Sequence, residues 1–292
     1  MATVAVLTLG LGLGGATAIF SVADAVILRP LPFAEPERLV LLWQSDRPRN
    51  QPFVEMSYPA FREYRGGSAL FAALAGMPST NQGMVLTGRG EPLPLAGRWV
   101  SGNFFSVLGV APLHGRALRP EDDRPGAPRV VVLGHALWRD RLSATPDIVG
   151  QSLTLDDQSY TVVGVMPPGF GFPKGAELWT PLVPAMGELA ESPGVMWMGG
   201  LGRLKPGVTL EQARADMTAL VERYNREQLS QDGYAAVLTP VADAIFGPTR
   251  PVLLALLGAV SLVLLVACAN VAGLLLVDQS ERGPFTGSSS NA

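Results

Sequence analysis

Residues 4–32 read VAVLTLGLGLGGATAIFSVADAVILRPLP, and the interpretation of this stretch decides the fold. Gly10, Gly12 and Gly15 spell G-x-G-x-x-G, the spacing of a dinucleotide-binding turn. Such a turn needs a strand before it, a helix after it, and a second strand ending near an acidic residue. Glu35 falls at the right distance, but Arg29-Pro30-Leu31-Pro32 occupies the place of the second strand. Proline removes a ladder donor and is poorly tolerated there. From Met1 to Ala23 there is also no charged residue, and Asp24 is the only one between Val4 and Leu28. The stretch reads instead as a transmembrane helix over residues 1–28, since about 20 apolar residues cross ~30 Å of hydrocarbon. Gly10-x-x-x-Gly14 and Gly12-x-x-x-Ala16 then place small residues on one helix face, where they permit close helix packing in lipid. Gly10, Gly12, Gly14 and Ala16 are therefore candidate packing positions. A cleaved signal peptide is the alternative, because Ala16-Thr17-Ala18 and Ala23-Asp24-Ala25 fit a small-x-small cleavage site. Against it, no Lys or Arg precedes the run, which exceeds the about 7–15 residues of a signal-peptide core.

A second apolar run lies near the other end. Residues 251–277, PVLLALLGAVSLVLLVACANVAGLLLV, carry no charge, and Asn270 is their only strongly polar side chain. They read as a second transmembrane helix, with 278–292 a short tail of disordered or truncated character. The two runs explain an unusual composition, in which 48% of the 292 residues are apolar and 16% are charged, against ~25% charged in ordinary soluble domains. The mean hydropathy is +0.26. The net charge of −3 and the lack of a basic stripe give no support to nucleic-acid binding. A lone Cys268 rules out an intrachain disulfide. Arg29, Arg38 and Arg250 flank the middle region, which the positive-inside rule alone would place in the cytoplasm.

The middle, residues 29–250, reads as α+β. Leu39–Trp43 and Arg129–Leu133 are strand-like, and Ser152–Leu155 with Ser159–Val165 flank Asp156-Asp157-Gln158 as a hairpin. Tyr58–Tyr64, Ala69–Ala75 and Gly134–Leu142 are expected helices. The clearest helix starts after Lys205-Pro206-Gly207: Thr209 and Gln212 form a capping box. Leu210, Ala213, Met217, Leu220, Val221 and Tyr224 follow on one face. Strands and helices without strict alternation point to α+β rather than α/β.

Little in this region carries chemistry. His114 and His135 have no ligand partner at zinc spacing, and Glu121-Asp122-Asp123 lacks calcium-loop spacing and reads as a solvated turn. There is no G-x-S-x-G and no phosphate-binding G-x-x-x-x-G-K-[ST]. The chain is accordingly expected not to be an enzyme, with no catalytic, cofactor or metal residues of its own.

Several stretches taken in order resemble the permease subunits of MacB-type ABC transporters, the FtsX-like permeases with a MacB-like periplasmic core domain. They are AIFSVADAVILRPLPF with ERLV, VSGNFFSVLGVAPLHGRALRPEDD, VVVLGHALWRDRL, DIVGQSLTLDDQSYTVVGVMPPGFGFP, LWTPL, RLKPGVTLEQARADM and LLVACANVAGLLL. The resemblance implies an α+β extracytoplasmic domain flanked by two transmembrane helices, located in the bacterial inner membrane with 29–250 on the periplasmic side, which overrides the charge count. It further implies a separate ABC ATPase subunit that binds the ATP, membrane lipid, a homodimer or paired permease, and a periplasmic adaptor. Permeases of this kind continue into further helices, whereas this sequence ends in VDQSERGPFTGSSSNA, so a fragment or truncated copy is expected. The second reading is a membrane-anchored, non-transporting binding or adaptor module.

Overall fold

The computed structural model describes residues 31–88, 90–187, 192, 195–230, 232–247 and 250–281, together with Gly10, Gly14, Gly15 and Thr17. The compact unit Leu31–Ala244 holds two sheets. The first orders its strands β12-β1-β11-β3, with β2 also pairing β1. The members are β1 (Leu39–Asp46), β2 (Gln51–Val54), β3 (Phe71–Pro78), β11 (Met198–Leu204) and β12 (Tyr234–Pro240), and all pairings are antiparallel. The second contains β4 (Gln82–Thr87), β5 (Leu93–Val100), β6 (His114–Gly115), β7 (Val130–Leu133), β8 (Ser152–Leu155), β9 (Gln158–Val165) and β10 (Leu178–Pro181). Its order is β6-β9-β7-β10-β5-β4-β8, and β8 pairs back onto β9. Six strands thereby close into a small barrel, which removes their free edges.

Alternating side chains explain why both sheets form. In β1, Val40 and Leu42 enter the core under helices α1 (Tyr58–Gly67) and α4 (Leu210–Leu229), while Leu39 and Leu41 enter a core on the opposite face. Each of the six barrel strands likewise sends residues inward, among them Leu86, Leu95, Val131, Leu155, Val162 and Leu178. The intervening positions Val100, Val132, Val163 and Trp179 face out and join the core beneath the first sheet. Period-2 burial of this kind is what a strand with two packed faces requires. Helix α2 (Phe104–Leu108) lies in that shared core, where Phe105 meets the fully buried Trp179 ring at 5.6 Å.

Most local expectations are met. The Thr209 hydroxyl accepts from the Gln212 backbone N–H at 3.2 Å, and the Gln212 amide oxygen accepts from the Thr209 N–H at 3.0 Å. The hairpin β8–β9 turns on Asp156 and Asp157, both left-handed at φ 47° and 60°, as a two-residue turn matched to strand twist demands. The remaining short helices are α3 (Leu182–Met186) and α5 (Val241–Phe246).

Two expectations are corrected. Ala69–Ala75 is not a helix: α1 ends at Gly67, and Phe71–Pro78 forms strand β3. Its Leu74 faces the α1/α4 core and its Ala75 and Met77 the other core, while its backbone pairs along β11. Two packed faces and a long-range partner outweigh the helix propensity of alanine. Within Gly134–Leu142 only His135–Arg141 is helical, and its Leu137–Arg141 portion is a π-helical turn.

Outside this unit, Gly10, Gly14 and Gly15 are helical and exposed, and a Cβ added at any of them would meet nothing within 4 Å; Gly12 and Ala16 lie outside the described residues. The helical state of these glycines does not suit a nucleotide-binding turn. The backbone of Arg250–Glu281 is one helix of 32 residues, α6. It exposes Val252, Leu256, Leu262, Val263, Leu265 and Val266. Among the described residues, no helix is long and apolar enough to cross a membrane.

The 116–124 loop is pinned against this framework. Arg116 donates to both oxygens of Asp122, at 2.6 and 2.8 Å, and the Arg119 N–H adds a third bond at 2.8 Å. Burial pushes the Asp122 carboxyl up, but these donors outweigh it and hold it below its ordinary value. A depressed carboxylate contributes stability above its unfolded value of about 4 and loses it as pH falls through the lower folded value. Asp122→Asn should therefore cost about 1 kcal/mol at pH 7 for this partly screened pair and flatten the acid limb of a pH-dependent urea titration; an unchanged acid limb would contradict the pairing. Gly102 is the loop's steric limit, because a Cβ there would run into the Arg119 carbonyl oxygen and lie 2.9 Å from Pro120 Cα. Gly102→Ala should lower stability by about 1–3 kcal/mol, read as an earlier urea midpoint; an unmoved midpoint would show that the loop yields freely.

Candidate functional site

Residues 31–38, which lead into β1, are tied to the fold by ring contacts and hydrogen bonds. Pro32 has its φ fixed by its ring, and Phe33 follows as an apolar plug. Its ring meets Phe172 edge-on at 5.4 Å and Phe170 at 6.5 Å, and Phe172 stacks on Phe104 of α2 at 6.2 Å. The Ala34 N–H donates to the Leu108 carbonyl at 3.1 Å. Gly109 closes α2 at φ +67°, and a Cβ there would come within 2.5 Å of Ala34 Cβ, so the glycine lets the segment lie flat on the helix end.

Arg203 of β11 completes the attachment. Its Nη2 donates to the Ala34 carbonyl at 2.6 Å, Nη1 to the Glu35 carbonyl at 3.3 Å, and Nε to the Val107 carbonyl at 2.9 Å. One guanidinium thus joins the entry segment, α2 and the central region of the first sheet. Burial, with Arg38 nearby, pushes the Arg203 pKa down, while Glu35 and Glu37 oppose that shift. Arg38 works in the reverse sense, donating from the entry segment to the Leu204 carbonyl at 2.8 Å and to the Glu35 carboxylate at 2.6 Å. Glu35 sits at φ 41°, a left-handed conformation that non-glycine residues rarely adopt. The fork geometry of arginine suits this task, because its five donors satisfy several acceptors from one fixed plane. The arrangement ties residues 34–38 to β11 and to the end of α2.

The other residues singled out by sequence are scattered. His114 and His135 both meet the Trp138 ring edge-on, at 5.2 and 5.4 Å, and the Trp138 N–H is committed to the Thr145 carbonyl. Among the described residues, no group of three or more His, Cys, Asp or Glu side chains is placed to hold a metal ion. The acidic cluster is more than a solvated turn. Glu121 is exposed, but Asp122 takes Arg116, and half-buried Asp123 accepts from the backbone N–H groups of Val183 at 2.7 Å and Gly102 at 3.1 Å. Burial raises the Asp123 pKa, against the pull of those two N–H groups. Cys268 lies exposed on α6.

With this geometry in place, comparison with known proteins is informative. Residues 2–220 match the family model of the MacB-like periplasmic core domain. No curated protein matches the chain. The periplasmic region of MacB from Actinobacillus actinomycetemcomitans superposes with a TM-score of 0.54 at 13% identity, covering 73% of this chain and 92% of that one. The extracellular domain of the noncanonic ABC-type transporter YknZ from Gram-positive bacteria gives a TM-score of 0.50 at 14% identity, covering 68% and 99%. At these identities the likeness to the two structures is one of fold, and the match over residues 2–220 carries the assignment: the chain belongs to the family of MacB-like periplasmic core domains of ABC-transporter permeases.

Proposed function

We propose that the chain is the membrane subunit of an ABC-type export or mechanotransmission complex in the bacterial inner membrane. A separate ATPase subunit hydrolyses ATP, and its movement reaches the Leu31–Ala244 unit through the membrane segments. The attachment of residues 31–38 by Phe33, Arg38 and Arg203 carries this reading. A segment that only tethered a domain would need no such fixation, whereas one that drives it must not slip. The sequence of residues 251–277 supports the same reading, because it carries no charge over 27 residues, more than the about 20 that cross a bilayer. Most side chains in the second half of α6 lie outside the described residues.

On this reading residues 29–250 face the periplasm, and the protein works as a homodimer or paired permease in lipid, with room for a periplasmic adaptor. Exposed Ser143 is then outside the membrane and Cys268, the only native cysteine, within it. In Ser143→Cys protein, a membrane-impermeant maleimide should label position 143 in intact spheroplasts and leave Cys268 unlabelled until detergent is added. Protection of position 143 would overturn the topology. Exposed Gly10 and Gly14 offer a packing face for a second helix, so Gly10→Leu and Gly14→Leu should weaken self-association in detergent cross-linking. Equal cross-linking yields would remove that role.

A further inference from the structure

Between α1, the turn after β5 and the 120–124 loop lies a cavity of about 420 Å³, lined by Tyr58, Arg65, Asn103, Pro120, Asp123 and Arg124 among others. Its size falls within the range of small-molecule sites, about 300–1,000 Å³. Its charges are unequally committed. Both Asp123 oxygens accept backbone N–H groups, one from Val183 and one from Gly102. The Arg65 guanidinium stands over the Phe61 ring at 5.5 Å, and its charge acts on Asp123. Arg124 has Glu121 at 4.0 Å, with both side chains about two-thirds exposed, a pair of little strength. Two guanidinium groups against one carboxylate leave the lining with a net charge of +1.

Guanidinium forks with free donors select planar oxyanions, which they bind bidentately. The surplus of one positive charge fits a monoanion, whereas a phosphate dianion would leave net negative charge beside Asp123. The Tyr58 and Pro120 rings add an apolar wall. We infer that this cavity binds a small organic monocarboxylate, with the carboxylate between Arg65 and Arg124 and the apolar body against Tyr58 and Pro120. The carboxylate belongs to a free acid or to the C-terminus of a peptide, which present the same group.

The test is calorimetric titration of the full chain in detergent with sodium benzoate, benzamide, inorganic phosphate, and a phenylalanine-terminated tetrapeptide in free-acid and amidated forms. Benzoate or the free-acid peptide should bind saturably. The neutral counterpart, benzamide or the amidated peptide, should bind at least tenfold more weakly, and phosphate more weakly as well. Arg65→Gln and Arg124→Gln should each weaken the carboxylate at least tenfold. Arg124 is exposed, so its variant keeps the fold and the test does not depend on Arg65 alone. Tighter binding of benzoate assigns a free acid, and tighter binding of the peptide acid a chain terminus. The proposal is overturned if neither acid saturates, if the neutral forms bind equally, if phosphate binds most tightly, or if both variants bind as the parent does.

Discussion

One guanidinium holds the entry segment of this domain to its first sheet. Arg203 sits on β11, the strand between β1 and β3 in the first sheet, and donates to three main-chain carbonyls from two other segments. Hydrogen bonds from a charged donor are each worth roughly 1.5–3 kcal/mol net, and backbone acceptors do not change rotamer as side-chain partners do. Beside it, Phe33 anchors the same segment through ring contacts to Phe170 and Phe172. Polar and apolar attachment therefore act on adjacent residues, so the segment can neither slide along the sheet nor lift from it without losing both.

The rest of the unit is built to keep that attachment stiff. The first sheet is packed on both faces, by α1 and α4 on one and by α2 and the barrel wall on the other. The barrel closes through β8–β9, and its inner and outer residues serve two different cores. Close-packed interiors transmit displacement rather than absorb it. On the proposed function, a displacement entering at residue 31 would reach the barrel through α2 and the shared aromatic core of Phe104, Phe105, Phe170 and Trp179.

What the sequence disclosed was local. The capping box at Thr209, the amphipathic face of α4 and the Asp156-Asp157 turn each occupy a few neighbouring residues, and each is found as read. Residues 69–75 misled because alanine and leucine favour a helix, while the partner that makes them a strand lies more than a hundred residues away in β11. Barrel closure is likewise a matter of pairing between distant strands. Arg203 opens the stretch RLKPGVTLEQARADM, but nothing in that stretch gives it a role, because its acceptors at Ala34 and Glu35 are 169 and 168 residues away. Asp123 was hidden by its neighbours, since Glu121 at the head of the same acidic run is exposed.

Hydrogen exchange on the full chain in detergent tests the central claim most directly. The amides of Ala34, bonded to the Leu108 carbonyl, and Arg38, bonded to the Glu35 carbonyl, should exchange as slowly as those of the β1–β11 ladder. Arg203→Met should speed exchange across residues 33–38 by tenfold or more and leave the barrel strands β7 and β9 unchanged. Exchange of the parent's Ala34 and Arg38 amides at the rate of a free chain would contradict the account, because the proposed coupling requires an entry segment that does not open on its own.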